Sequence, residues 1–244
     1  MSGLFRPETT LGRLLRLPLK LLPKSMIMPV LSGPNRGLRW QIGAGIHGSW
    51  IGSYERHKVD RFVSAIAPGA VVYDIGAHAG YYTLAAARHA RQVLAFEPDP
   101  RNAAALRRHI ALNRLANVEI VEAAVALAPG HVLFARAGSL YQGRVAGEGT
   151  PIAAVSLDAL IAAGKPPPDL VKMDVEGGEL AALDGARHLL AGRRTIWFIA
   201  LHGRDCALGT TQRLLAAGYR VEDLDGAPIA APRGDIDEIV ALPG

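Results

Sequence analysis

Residues 71–98 read VVYDIGAHAGYYTLAAARHARQVLAFEP, and their pattern sets the fold class. VVYDIG is an apolar run of the kind found in strands buried on both faces. GYYTLAAARHA then reads as a helix, and QVLAFEP as a second buried strand. The same alternation runs outward. DPRNAAALRRHIALNRL is a helix, NVEIVEAAV a strand, LVKMDVEG a strand, GELAALDGARHLLAG one helix, TIWFIALHG a strand and TTQRLLAAGYRVEDL a helix. Upstream, YERHKVDRFVSAI places Val59, Phe62, Val63 and Ile66 on one face of a helix closed by Pro68-Gly69. Between 125 and 156 two short strands, HVLFARA and TPIAAVSL, suggest a hairpin insertion, and DIDEIVALP would add an edge strand. The expectation is an α/β fold, a mainly parallel sheet with helices on both faces.

Composition narrows the classes. Half of the 244 residues are hydrophobic and 20% are charged, which excludes a disordered chain. No apolar run is long enough for an ordinary membrane-spanning helix. A single cysteine, Cys206, excludes an internal disulfide or a cysteine-built zinc site and fits a reducing cytosol. The net charge of +5 is concentrated at the start. Residues 1–40 carry seven basic groups against one acid, Glu8, while the remainder is close to neutral. No basic stripe runs through that remainder, so nucleic acid is not an expected partner. Residues 1–30 form a cationic, leucine-containing segment that either packs on the body or lies on an anionic membrane surface. Residues 33–54 are glycine-rich and read as short strands and turns.

In a parallel sheet, ligands bind beyond the carboxyl ends of the strands. The residues at those ends are Asp74 with the loop Gly76–Gly80, then Glu97, Glu122, Asp174 with Glu176, and His202. Asp74-Ile75-Gly76-Ala77-His78-Ala79-Gly80 allows close backbone approach of a ligand, yet it opens with an acid. A carboxylate there disfavours a pyrophosphate and suits an ammonium or sulfonium. Glu97, ending the next strand, can accept hydrogen bonds from both hydroxyls of a ribose.

These residues resemble the FkbM-type methyltransferases. The resemblance rests on Asp74-Ile75-Gly76-Ala77 through Gly80-Tyr81-Tyr82-Thr83-Leu84, on Phe96-Glu97-Pro98, and on KMDVEGGE at 172–179. It implies the class I (Rossmann-like) fold that uses S-adenosylmethionine: a seven-stranded sheet in the order 3-2-1-4-5-7-6 following an N-terminal extension. Residues 1–58 would be the basic extension and cofactor-covering segment, and residues 59–244 the methyltransferase domain. By the same resemblance, Asp74, Gly76, Ala77, Gly80 and Thr83 would surround the methionine moiety. Glu97 and Pro98 would meet the ribose, Glu122 and Ala123 would flank the adenine, and Asp174 would lie beside the methyl group. Gly52-Ser53-Tyr54-Glu55 matches a segment that closes over the cofactor, with Glu55 its acidic member. One departure stands out: the family often has an acid two residues before the histidine, where this chain has Ala200.

The implied activity is O-methylation of a sugar, glycan or polyketide-like hydroxyl. His202, Asp174 and Glu176 are the candidate catalytic residues, because a free alcohol must lose its proton to react well and His202 is the best-placed base. A divalent metal held by Asp174, Glu176 and His202 is an alternative that the residue types allow, because carboxylate and imidazole both ligate such ions, but no metal is assigned. Two other readings compete: a nicotinamide-dependent oxidoreductase on a similar sheet, and a non-catalytic, membrane-peripheral nucleoside-binding protein.

Overall fold

The computed structural model describes residues 22–136, 143–145 and 148–244, so most of the basic leading segment lies outside the described residues. The chain divides into two units, residues 1–54 and 55–244. In the first, β1 (Ile27–Pro29) pairs antiparallel with β2 (Arg39–Gln41), and a short helix follows, α1 (His47–Ile51). Val30, Trp40, Ile42 and Trp50 are its buried apolar side chains. The expected strands and turns thus include one helical turn.

The second unit begins with α2 (Arg56–Ser64), β3 (Val71–Ile75), α3 (Tyr81–Ala87), β4 (Gln92–Phe96), α4 (Pro100–Asn113) and β5 (Val118–Val121). The insertion follows as β6 (Ala124–Val125), β7 (Gly130–Arg136), β8 (Gly143–Val145) and β9 (Thr150–Val155). The remainder is α5 (Leu157–Ala162), β10 (Leu170–Met173), α6 (Glu179–Asp184), α7 (Arg187–Gly192), β11 (Ile196–Ala200), α8 (Arg204–Ala216), β12 (Arg220–Glu222) and β13 (Glu238–Leu242). Seven strands form one sheet in the order β12-β13-β11-β10-β3-β4-β5. Counted along this sheet, the order is 3-2-1-4-5-7-6, parallel except for β13. It is the class I methyltransferase arrangement.

Alternate residues of the strands feed two apolar layers. Val71, Tyr73, Ile75, Val171, Met173, Trp197 and Ile199 pack on one side with Leu183, Leu190 and Leu214 of α6, α7 and α8. Val72, Val93, Leu170 and Phe198 pack on the other with Phe62 and Ala86 of α2 and α3. Strands buried on both faces explain why the sequence shows continuous apolar runs instead of alternation.

Four expectations are corrected. The hairpin at 125–156 is a four-stranded sheet, ordered β6-β9-β7-β8. GELAALDGARHLLAG is two helices, because Gly185 packs where a Cβ would lie 2.2 Å from the Ala126 carbonyl oxygen. Its freed carbonyl accepts from the Asp158 N–H, and the Asp158 carboxylate caps α7 through the N–H groups of His188 and Leu189. TTQRLLAAGYRVEDL divides into the end of α8, which begins earlier at Arg204, and the strand β12. DIDEIVALP supplies an inner strand, and β12 takes the edge. Among the described residues, no helix is long and apolar enough to cross a membrane.

Where β3 meets β10 the backbones approach closely. Gly76 has φ +81°, and a Cβ there would lie 1.9 Å from the Asp174 carbonyl oxygen. Gly69 has a similar φ of +79° with nothing within 4 Å. Gly69→Ala should therefore cost about 1 kcal/mol, the left-handed strain alone, while Gly76→Ala adds a backbone clash and should cost about 2 kcal/mol more. Urea unfolding of both variants measures the difference, and equal costs would mean that the β3–β10 approach is not tight.

Candidate functional site

The sheet reverses direction of growth between β3 and β10, so the crevice for a ligand opens at their carboxyl ends. Asp74 and Lys172 stand opposite each other in register across these two strands. Asp74 is fully buried, with the Thr83 hydroxyl donating to Oδ2 at 2.5 Å and Lys172 Nζ 3.9 Å from Oδ1. Asp74 Oδ1 accepts no hydrogen bond. Lys172 Nζ also lies 3.5 Å from Asp174, donates to the Gly76 carbonyl at 3.4 Å, and sits 4.9 Å from the centre of the Tyr82 ring. Burial disfavours the ammonium, but Asp174 and Asp74 outweigh it and raise its pKa, so Lys172 stays charged. Burial likewise pushes the Asp174 carboxyl up, and Lys172 and His202 bring it below the ordinary value.

The loop after β3 turns its donors inward. The N–H groups of Gly76 and Ala77 both donate to the Phe96 carbonyl, Gly80 N–H donates to Ala77, and His78 N–H donates to Glu97 at 2.7 Å. Glu97 is buried at the end of β4, and its other oxygen accepts from the Asp99 N–H at 2.8 Å. These contacts hold the turn shut as a unit. From below, the buried His109 of α4 lies 2.7 Å from the Ala79 carbonyl through Nδ1, and burial lowers its pKa to about 4. The neutral ring donates from Nδ1 and pins the loop. Gly80 has φ +95°, and a Cβ there would meet Leu106 of α4 at 2.4 Å. The chain here needs glycine for packing as well as for the turn.

On the far side of Asp174 stands His202. Its Nδ1 is 2.7 Å from Oε1 of Glu179, a carboxylate with no exposed surface, and its Nε2 faces Asp174 at 3.5 Å and Glu176 at 3.6 Å. The hydrogen bond to Glu179, opposed by burial and aided by the three carboxylate charges, raises the imidazole pKa. Glu179 also accepts from the Gly177 N–H at 3.2 Å and from the Cys206 thiol at 3.1 Å. Burial pushes that thiol to about 11, so Cys206 is no nucleophile. Glu176 holds φ +54°, a left-handed conformation uncommon for a glutamate.

The opposite wall of the cleft, about 340 Å³ of open space, is formed by Glu55, Lys58, Tyr82 and Glu238 beside Phe198 and Ala200. Glu55 accepts from the Tyr82 hydroxyl at 3.0 Å and from Lys58 at 3.2 Å, and Lys58 also pairs with Glu238. Ala200 lies opposite Glu238 in the β11–β13 register. Glu238 thus sets a carboxylate beside Ala200, where it pairs with Lys58. Among the described residues of this network, six carboxylates (Glu55, Asp74, Asp174, Glu176, Glu179, Glu238) stand with two lysines and His202, an excess of acid although burial pushes the Asp74 and Glu238 carboxyls up.

The methyltransferase FkbM domain matches residues 74–221, from Asp74 through β12. The chain belongs to the FkbM methyltransferase family. Among solved structures, an FkbM methyltransferase from Methylobacillus flagellatus KT is similar at 21% identity and a TM-score of 0.53. That likeness covers 71% of this chain and 43% of the Methylobacillus protein, so this chain spans less than half of it. Precorrin-6y C5,15-methyltransferase from Geobacter metallireducens GS-15 aligns at 15% identity over 77% of this chain and 89% of its own, with a TM-score of 0.48. No curated protein matches.

In this FkbM domain the expected site residues fall in different places. Asp74, Gly76, Glu97, Asp174, Glu176 and His202 stand at or just beyond the carboxyl ends of β3, β4, β10 and β11, and Glu55, ahead of α2 and of the matched domain, reaches Tyr82 and Lys58. Thr83, like Asp74, is fully buried, and its hydroxyl is turned to that carboxylate and positions it. Ala77 offers its N–H to Phe96, leaving only its backbone surface for a ligand. Pro98 and Ala123 follow the ends of β4 and β5, and the exposed Glu122 is ion-paired with Arg107. Sequence reasoning gave no role to Lys172, Tyr82, Lys58, Glu238 or Glu179. A signal existed for Lys172, a lone charge inside the apolar run LVKM. It also left His202 without an orienting partner, and Glu179 is that partner.

His109 offers a direct test of the loop's support. Its pKa is near 6.5 in the unfolded chain and about 4 in the folded one, so as pH falls the unfolded chain takes up the proton first. Stability is lost between those values, and from pH 7 to 5 the loss is about 2 kcal/mol from this group. His109→Asn keeps a donor toward Ala79 and does not titrate. Urea unfolding at both pH values should show the variant losing about 2 kcal/mol less than the parent. An identical pH slope would contradict the buried, neutral assignment.

Proposed function

We propose that this FkbM-family chain is an S-adenosylmethionine-dependent O-methyltransferase acting on a hydroxyl of a sugar, glycan or polyketide-like product. The observation that carries the reading is the negative cleft at the switch point beside a turn whose donors point inward. An ammonium and a sulfonium complement such a cleft, whereas the pyrophosphate of a nicotinamide cofactor needs outward N–H donors. The buried Asp74 Oδ1 accepts no hydrogen bond and faces the Lys172 ammonium at 3.9 Å, so the carboxylates left for a cationic ligand are those nearer the surface.

When bound, S-adenosylmethionine supplies a methyl group on sulfur, which the acceptor oxygen takes as the carbon–sulfur bond breaks and a thioether leaves. The chain's residues hold the partners. Glu55 faces the ammonium end of the cleft with Asp74 buried behind Lys172, Glu97 meets the ribose hydroxyls, and Pro98, Glu122 and Ala123 border the base. Positioning of this kind supplies roughly 7–11 kcal/mol of barrier reduction. The acceptor hydroxyl approaches the Asp174–Glu176–His202 face, and its proton passes to a basic side chain of that face as the carbon–oxygen bond forms. The hydroxylated acceptor as partner, a cytoplasmic setting suggested by the single cysteine, and membrane contact through residues 1–30 belong to the proposal as well.

The test is methyl-labelled S-adenosylmethionine offered with a panel of hydroxylated sugars and glycans. Label should appear as a base-stable ether. His202→Ala should lower turnover about 100-fold or more while affinity for S-adenosylhomocysteine, by calorimetry, stays unchanged. Label confined to nitrogen or carboxylate acceptors, or full turnover in His202→Ala, would overturn the reading.

A further inference from the structure

We infer that Asp174, Glu176 and His202 form a binding site for one divalent metal ion of the Mn2+ class at the acceptor end of the cleft. The site stands on the residues themselves; its role in polarising the acceptor hydroxyl rests on the methyl-transfer reading above. The sequence allows a metal on these three residues without assigning one, and the geometry of the side chains supplies the argument for it.

A carboxylate accepts hydrogen bonds and donates none when ionised, so the 2.7 Å contact with Glu179 puts the proton of a neutral His202 on Nδ1. Nε2 then presents a lone pair, and it faces Oδ1 of Asp174 at 3.5 Å and Oε2 of Glu176 at 3.6 Å. Three electron-rich atoms converging in this way call for a positive charge, either the ring's own proton on Nε2 or a metal ion. A proton on Nε2 would draw one carboxylate to about 2.7–3.2 Å, and neither has closed to that distance. The donor atoms instead lie within 4.8 Å of one another. Bonds of about 2.0–2.2 Å to a central ion separate its ligands by roughly 3–4 Å, so a metal fits with little movement.

The surroundings match a ligand role. Glu179 has no exposed surface and is fixed by the Gly177 N–H and the Cys206 thiol. It therefore orients the imidazole as the supporting carboxylate does behind metal-bound histidines. All three donor residues are part-exposed, and Asp174 lines the cleft, which leaves coordination positions for substrate oxygens. Two carboxylate oxygens and one imidazole nitrogen suit Mn2+ and similar first-row divalent ions. Cys206 directs its sulfur at Glu179 and takes no part as a ligand.

The experiment uses the full chain, freed of metal with chelator and titrated with Mn2+. Loss of the aqueous Mn2+ electron paramagnetic resonance signal counts bound ions, and calorimetric melting gives a second readout. We expect one Mn2+ per chain, a raised Tm, and at least tenfold weaker binding in both His202→Ala and the part-exposed Glu176→Gln. No stoichiometric Mn2+, or parental affinity in both variants, overturns the site. A parallel titration with S-adenosylhomocysteine in chelator separates the two ideas. Mn2+ bound without S-adenosylhomocysteine upholds the metal site and overturns the methyl-transfer reading, and S-adenosylhomocysteine bound without Mn2+ overturns the metal site alone.

Discussion

The buried pairing of Asp74 with Lys172 is the constraint on which the rest of the site depends. Both side chains leave water at the point where the sheet changes its direction of growth, and either alone would be a costly buried charge. Removing one partner from such a pair typically costs about 3–5 kcal/mol, so the two positions stand or fall together. Lys172 is shared. It neutralises Asp74 below and Asp174 above, and Asp174 in turn faces His202, which Glu179 holds. A line of charges therefore runs from the core of the sheet to the mouth of the cleft, with each member set by the one beneath it.

This line gives the cleft its chemistry. A dinucleotide site places unsatisfied N–H groups and a helix N-terminus before a phosphate. Here the corresponding loop faces inward through Phe96, Ala77 and Glu97, and what remains for a ligand is carboxylate. Two proteins with the same sheet can thus select opposite charges by the direction in which one turn points its donors. The FkbM domain match is in keeping with that difference.

Much of the fold was legible because burial on both faces leaves an unmistakable mark in β3, β4, β10 and β11. The strand order followed from the resemblance and not from periodicity, and periodicity alone misplaced β13 at the edge. Gly185 broke a helix that its apolar spacing would have continued, because a carbonyl packs where its Cβ would stand. In the site, residues next to glycine-rich turns could be found by position along the chain. Glu238 and Glu179 could not, since their partners lie 180 and 23 residues away and meet them only through folding. Thr83 was placed beside the ligand by its neighbours in the chain, although its hydroxyl faces the core.

The central claim is that the carboxyl ends of β3, β4 and β10 take a nucleoside whose reactive sulfur faces the Asp174–His202 wall. A crystal structure of the protein with S-adenosylhomocysteine tests it most directly. The account predicts the ribose hydroxyls on Glu97, the amino group toward Glu55, and the sulfur turned to Asp174 and His202. Nucleoside bound elsewhere, or bound there with its sulfur turned away from His202, would contradict it.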